Sequence, residues 1–489
     1  MNSRRPRALF ALLLAVLLLF SVACSSNSAP GGADNDSQGS QSQQPDAPQN
    51  GGGEDVQSFA QAHDAFQTKL VREENDDYTI PAPPEGLFDL VSYPSKVGDL
   101  AAYVSSDPGD SEKHPLIIWV VGGWGNGIDD FPFCYPTWDN DQTGSAFWQA
   151  GVLEMYPSFR GGCGNPGYYE ALFGEVDDIV SAYEYAASLP YVDPDRIYLG
   201  GHSTGGTRAL LASEYTDKFR AVFCFGAVDE VKLHNNSQFT FDTSDEMEYT
   251  MRSPIHWLDS VKSPTFLIEG EDGNSDSLRN IQAASTNDAI HCYILDGADH
   301  FAPMGPITPL LAQKILADTG EQCNISLTQE ELEQAMAGEE TIPLPVMTQY
   351  ALEEAGMRFD YPYIWQVDDF TETAGETQLG FYSPYDEDNV WDMAALYAFT
   401  YPASDVGSLA DLAQALERDG FQVEEIEIEG RSALEGSGVT QLEGGIFQNR
   451  FLFVVSGDTC VEIEYYLHTD YGDKGDGLFQ AIADSIAFQ

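Results

Sequence analysis

Between residues 116 and 315 the chain alternates short apolar runs with longer helical stretches. Runs rich in β-branched and aromatic residues at 116–121, 152–157, 196–200, 221–225, 265–269 and 291–295 predict strands. Glu175–Ser188 carries Val176, Ile179, Val180 and Tyr183 at helical spacing, and a second helix is predicted to begin just after Ser203. Strands separated in this way are the pattern of a parallel sheet covered by helices. Residues 88–104 read as earlier strands leading into the same sheet. Thr328 and Glu331 form a capping-box start for a short helix ending near Gly338, and 339–345 is an acidic, proline-bearing linker. From Val346 onward strands and helices follow without the parallel-sheet rhythm. There, 451–455 and 461–466 pair as a hairpin and 478–488 forms a closing helix and tail. The expected fold is α/β, with a smaller α+β domain at the C-terminal end.

The first residues have a different pattern. Arg4, Arg5 and Arg7 precede an unbroken apolar run over 8–20, too short to span a bilayer, which needs about 20 residues. Ser21, Val22 and Ala23 then supply small residues before Cys24. This arrangement resembles a bacterial lipoprotein signal, departing from it at Ser21, where that pattern usually has Leu. The resemblance implies acylation of Cys24, a membrane held through the lipid and a cell-envelope location; ordinary secretion after cleavage at the same bond is the alternative. Residues 25–55 are almost free of apolar side chains and cannot offset their ordering entropy by burial, so they read as a flexible tether. The expected division is 1–23 signal, 24–55 tether, 56–325 first folded domain, 326–345 linker helix and linker, 346–489 second domain.

Composition narrows the function. The 489 residues are 43% hydrophobic, enough to build real cores, and 79 acidic against 22 basic residues give a formal net charge of −57. So negative a chain repels a phosphate backbone, which excludes nucleic acid as a sequence-wide partner. Beyond Cys24, six cysteines would permit three disulfides in an exported protein, although Cys224, inside an apolar run, reads equally well as a buried free thiol. No CxxC pair is present, so a zinc site is not expected. The run from Asp139 to Gly144 imitates the start of a calcium loop, but its twelfth position is Ala150 instead of Glu. No metal and no cofactor is therefore expected.

The sharpest chemistry lies at one junction. Gly201-His202-Ser203-Thr204-Gly205 is a GxSxG run between a predicted strand and a predicted helix. Glycines are needed two positions either side of the serine because side chains there would meet neighbouring backbone, and Ser203 is forced into a strained turn that exposes its Oγ. A base is expected after the last strand, where His300 stands. The other histidines fit less well: His202 lies within the elbow, His291 opens the strand, His234 and His256 sit in an insertion, and His63, His114 and His468 are remote. The orienting carboxylate is expected beyond the strand at 265–269. Asp272 is the first choice, with Asp276, Asp229 and Glu269 as alternatives. For an oxyanion, Thr204 offers the N–H next to the nucleophile. The glycine-rich loop after 116–121 offers Trp124 or Gly123.

Several further runs, in order, strengthen this picture: Gly122-Gly123, Pro157 to Gly161, Asn165-Pro166-Gly167, Gly174 to Asp178, Tyr191 to Ile197, Gly201 to Gly206 and Gly297 to Phe301. With them the stretch 103–319 resembles an α/β-hydrolase of the prolyl-oligopeptidase and dienelactone-hydrolase type. The resemblance implies a serine hydrolase (a peptidase or a carboxylesterase) acting on a small ester or peptide through an acyl-enzyme. The sequence departs from that family's Gly-x-x-Asp at Gly270-Glu271-Asp272-Gly273, which leaves the acid open. A propeller does not fit ahead of the sheet. Phe359, Tyr361, Pro362 and Trp365 with the C-terminal ending resemble PsbP-like domains. That resemblance brings no catalytic residue, so the second domain is expected to be a binding or packing appendage. The competing expectation for the whole chain is a catalytically inert binding lipoprotein that retains the hydrolase fold.

Overall fold

The computed structural model describes residues 57–133, 141–338, 346–371, 377–382, 394–442, 445–469 and 476–488. Cys24 with the signal and tether, Cys134, Asp139 and the linker at 339–345 lie outside the described residues.

The first region is built on an eight-stranded sheet. Its strands are β1 (Phe88–Ser95), β2 (Gly98–Ser105), β3 (His114–Val120), β4 (Leu153–Pro157), β5 (Val192–His202), β6 (Val222–Phe225), β7 (Thr265–Gly270) and β8 (Ile290–Leu295), in spatial order β1-β2-β4-β3-β5-β6-β7-β8. β1 and β2 form an antiparallel hairpin, β2 runs antiparallel to β4, and every later pairing is parallel. In-register rows such as Ile118↔Leu199↔Val222↔Thr265 cross the sheet.

Both faces are covered, which explains why the strands read as continuous apolar runs and not as alternations. One face buries Trp119, Tyr198, Phe223 and Phe266; the other buries Ile118, Leu199, Val222 and Leu267. The helices are α1 (Phe59–Ala65), α2 (Ala146–Gln149), α3 (Glu175–Ser188), α4 (Thr204–Tyr215), α5 (Glu246–Thr250), α6 (Ser275–Ala284), α7 (Met304–Ala317) and α8 (Gln329–Met336). α3 buries Val176 and Ile179 of the predicted set, with Ala182, on the second face, while Val180 and Tyr183 are half-buried. α7 buries Ile307, Leu311 and Ile315 on the first. At roughly 1.5–3 kcal/mol per buried aliphatic side chain, such contacts, and not helix propensity, hold these helices in place.

α8 begins at the predicted capping box: Thr328 Oγ1 accepts from Glu331 N–H and Glu331 reaches back to Thr328 N–H. It belongs to the body rather than to a free connector. Gln329 donates to the Ile294 carbonyl at 2.8 Å, and Lys314 pairs with Glu331 at 3.0 Å.

Beyond Val346 a seven-stranded antiparallel sheet dominates, with a three-stranded sheet beside it. The predicted hairpin is the pair Gly445–Ser456 and Thr459–His468. One contiguous cluster of buried residues holds Ile307, Leu311 and Leu332 together with Phe359, Phe381 and Ile463, so the two regions share apolar packing. The opposite side of Thr459–His468 buries Glu462 and Glu464, which accept from the hydroxyls of Tyr401 and Tyr466 at 2.8 and 2.9 Å.

The disulfide expectation is corrected among the described residues: Cys163, Cys224, Cys292, Cys323 and Cys460 are all free. Cys224 is a buried thiol. It lies across the sheet from Cys292 with Leu267 between them in register, so the two cannot bridge.

Candidate active site

Ser203 stands between β5 and α4 with φ +57° and ψ −120°, a region that non-glycine residues occupy only at a cost on the order of 1–3 kcal/mol. Two backbone bonds hold it there: Ser203 N–H donates to Phe225 O at 2.8 Å, and Thr207 N–H to Ser203 O at 3.0 Å. The glycines have the roles the spacing implied. A Cβ on Gly205 would lie 2.0 Å from Val120 O, and one on Gly201 would lie 2.7 Å from the same atom and from the Gly205 carbonyl. Gly206 is equally constrained, its Cβ position being 2.3 Å from Phe225 O. The first N–H groups of α4 have no partner within the helix and open beside the serine.

His300 follows β8. Its Nδ1 lies 3.1 Å from Oε1 of Glu269, which is 1% exposed near the end of β7. Asn274 N–H donates to the same oxygen at 2.8 Å, and Asn274 Nδ2 donates to the Gly226 carbonyl at 2.9 Å. Two glycines clear the space: a Cβ on Gly226 would lie 2.3 Å from His300 Cε1, and one on Gly273 would lie 1.6 Å from Glu269 Oε1. The other candidate carboxylates do not meet His300 in this way. Asp272 is exposed, and Asp276 faces solvent with Arg279 3.1 Å away. Asp229 is buried but accepts from Ser277 Oγ and Asn280 Nδ2, both at 2.8 Å, beneath α6. Glu269, named among the alternatives, is the candidate that the structure brings to His300.

His202 acquires a role that its position in the elbow did not suggest. Its ring is 4.6 Å from the His300 ring and its Nε2 is 3.2 Å from the His300 carbonyl. Burial, then the nearness of His300, pushes its pKa down to about 3, so it stays neutral as a prop for the loop that carries His300.

The glycine-rich loop after β3 passes directly beside the nucleophile: a Cβ on Gly122 would lie 3.2 Å from Ser203 Cβ. Gly123 has φ +91°, and its carbonyl accepts from Thr204 Oγ1. The Trp124 ring packs edge-to-face on His234 (5.0 Å) and Phe239 (5.8 Å) of the 229–255 insertion, so it walls the site.

Asn126 anchors this loop, and nothing in the sequence singled it out. It is 1% exposed and accepts from Arg208 of α4 at 2.9 Å. It also donates to the Arg160 carbonyl and to Glu175 of α3, both at 2.9 Å. Burial opposes ionisation of Glu175, but Arg208 and Arg160 outweigh it and hold the carboxyl below its ordinary pKa. Arg160 itself forms a two-pronged pair with Asp178 at 2.9 Å and meets Glu170 at 2.7 Å.

A mostly parallel sheet covered by helices, with a strained serine at a strand–helix elbow and a histidine bonded to a buried carboxylate, has the α/β-hydrolase fold. Within it, residues 142–277 match the prolyl oligopeptidase family. Over 152 residues the chain is 24% identical to the uncharacterized peptidase YtmA of Bacillus subtilis (strain 168), a match covering 27% of this chain and 57% of that protein. The chain therefore spans little more than half of that curated relative. A puromycin-hydrolyzing peptidase of Mycobacterium tuberculosis is similar at 19% identity and a TM-score of 0.41, over 50% of this chain and 41% of the other. An acylaminoacyl peptidase of Pyrococcus horikoshii is similar at 16% and 0.39, over 50% and 44%.

Proposed function

We propose that the protein is a serine hydrolase that cleaves a small ester or peptide through an acyl-enzyme, with Ser203 as nucleophile, His300 as base and Glu269 as the carboxylate that orients it. Glu269 accepts from Nδ1–H of His300 and so keeps the lone pair on Nε2, the nitrogen that takes the Ser203 proton during attack and returns it to the leaving group. The N–H of Thr204 and an N–H of the loop at Gly123 or Trp124 receive the oxyanion. The observation that carries this reading is the 3.1 Å contact between His300 and Glu269. It commits a buried carboxylate to a loop histidine beside a strained serine.

The basic and apolar run at the N-terminus, ending at Cys24, supports export and a lipid-held place in the cell envelope, with secretion as the other outcome. Among the described residues no helix is long and apolar enough to cross a membrane. The region beyond Val346 supplies none of the proposed catalytic groups and acts as a packing or binding appendage.

An active-site fluorophosphonate probe tests the chemistry. Labelling of the wild type and its loss in Ser203→Ala, with folding unchanged, is the expected result. Undiminished labelling of that variant would overturn the assignment.

A further inference from the structure

On the side of the sheet carrying α3 and α4, the start of the described chain brings together a second set of reactive groups. α1 begins at Ser58, whose side chain accepts from Gln61 N–H in a complete capping box, and it presents His63 inward. The imidazole is 3% exposed. It stacks on Phe173 at 4.1 Å and meets the rings of Phe59 (5.5 Å) and Tyr215 (5.1 Å) edge-on. Its Nε2 is 3.1 Å from the Phe173 carbonyl, which can only accept, so that nitrogen carries the proton. The lone pair is thereby left on Nδ1, which is buried and has no hydrogen-bond partner among the described residues.

Two carboxylates converge on the same place. A ligand atom of His63 and oxygens of Asp64 and Asp177, the latter from the first turn of α3, all lie within 4.8 Å of one another. The donors nearby do not satisfy the set. Tyr215 OH donates to Asp64 at 2.8 Å. Lys96 Nζ reaches Asp177 at 2.7 Å and Asp64 at 3.8 Å, but makes no hydrogen bond to His63. Three acceptors thus share donors that leave the imidazole lone pair unmet. A histidine with one nitrogen fixed by a backbone carbonyl, its other nitrogen unmet and two carboxylates close to its ring is the arrangement in which imidazole ligates a metal.

We propose that His63, Asp64 and Asp177 form a binding site for a divalent transition ion of the zinc class, remote from Ser203, that pins α1 onto α3. An imidazole nitrogen with two carboxylate oxygens suits zinc better than calcium or magnesium, which prefer all-oxygen sites, and three protein ligands leave a fourth position for water. Ligand atoms about 2.0–2.2 Å from a tetrahedral ion stand roughly 3.3 Å apart, so the set must contract by about 1.5 Å at most. The Asp64 side chain, 57% exposed, is free to make that movement. Lys96, 58% exposed, holds the position of the cation and swings away when the ion enters.

The test is isothermal titration of zinc into the chelator-treated full-length protein, with millimolar calcium present to occupy the acidic surface. The expected result is a single site of stoichiometry near one that calcium does not displace. Asp64→Asn and Asp177→Asn should each weaken it by at least about tenfold, and Lys96→Ala should tighten it by removing the competing ammonium. His63 is packed among rings and its replacement endangers folding, so its part is read by nitrogen NMR of the wild type, where zinc should shift the His63 Nδ1 resonance. Absence of a one-site step, complete displacement by calcium, wild-type affinity in both aspartate variants or an unmoved His63 resonance would each overturn the proposal.

Discussion

Replacing Glu269 by Gln removes one charge and changes almost no volume, so it isolates what the carboxylate does. In the folded protein Oε1 accepts from His300 Nδ1 at 3.1 Å and from Asn274 N–H at 2.8 Å. Because that single oxygen takes both bonds, a glutamine oxygen in its place keeps both and preserves the His300 tautomer, with the NH2 replacing Oε2, which is buried without a partner. What is lost is the charge that stabilises the imidazolium. That loss should lower kcat about 10–10²-fold, or roughly 1.4–2.7 kcal/mol at about 1.36 kcal/mol per decade. Stability should change little, because a buried carboxylate is exchanged for a neutral group of the same shape. The assay is hydrolysis of a nitrophenyl acetate together with the rate of fluorophosphonate labelling, with urea unfolding as the control. Asp272→Asn and Asp276→Asn, at exposed positions, should stay near wild type. Near-wild-type turnover in Glu269→Gln with a collapse in Asp272→Asn would refute the reasoning.

Gly205→Ala places a methyl 2.0 Å from Val120 O, so it should abolish labelling and destabilise the protein by about 3 kcal/mol or more in a urea melt. Asn126→Leu strands Arg208 and Glu175 in the interior; about 2–4 kcal/mol of lost stability and a fall in kcat are expected, whereas a change in KM alone would deny the loop its anchor. Burial, together with the neighbouring acid, raises the Glu462 carboxyl, and burial pushes Glu464 up to about 6, above an ordinary value near 4.5. The folded state therefore binds the extra protons. The stability they contribute is complete below the unfolded pKa and is lost as pH rises through about 6. A pH series of thermal unfolding should show that decline, and Glu462→Gln with Glu464→Gln should flatten it; an unchanged slope in the double variant would remove these groups as its source.

The parts of the molecule legible in the sequence are those encoded by neighbours along the chain. Glu175–Ser188 announces itself by its period, the elbow by its glycines and the hairpin at Ser456 and Thr459 by two β-rich runs a few residues apart. Those signals are local because steric exclusion and side-chain facing act over a few residues. Asn126 was illegible, and Glu269 legible only as one alternative among several, for the opposite reason. Glu269 meets His300 across 31 positions, and Asn126 meets Arg208 across 82, so only the closed sheet brings them together. Gly273 and Gly226 were visible as glycines, but the atoms they make room for were not. Asp272, next past the strand end after Glu271, is exposed in the loop, whereas Glu269, still within the strand, is buried against His300.

Long-range pairing also changes what the net charge means. With 22 basic residues against 79 acidic ones, a uniform scatter would leave the basic groups among the surface acids. Instead Arg160, Arg208 and Arg252 lie in the interior, where they meet Asp178, Asn126 and Glu248, and Arg220 closes a two-pronged contact with Asp318 at 2.7 and 2.8 Å. Breaking such a pair by removing one partner strands a charge, at about 3–5 kcal/mol; Arg160 thereby holds α3 to the loop after β4, Arg252 holds the end of α5, and Arg220 ties the start of β6 to the end of α7. Their withdrawal leaves the exterior with even less positive charge than the composition suggests. A field of that sign draws in cationic groups and resists anionic ones. The scaffold that holds Ser203 and the potential that a substrate meets on approach therefore have a common origin in where a few arginines are placed.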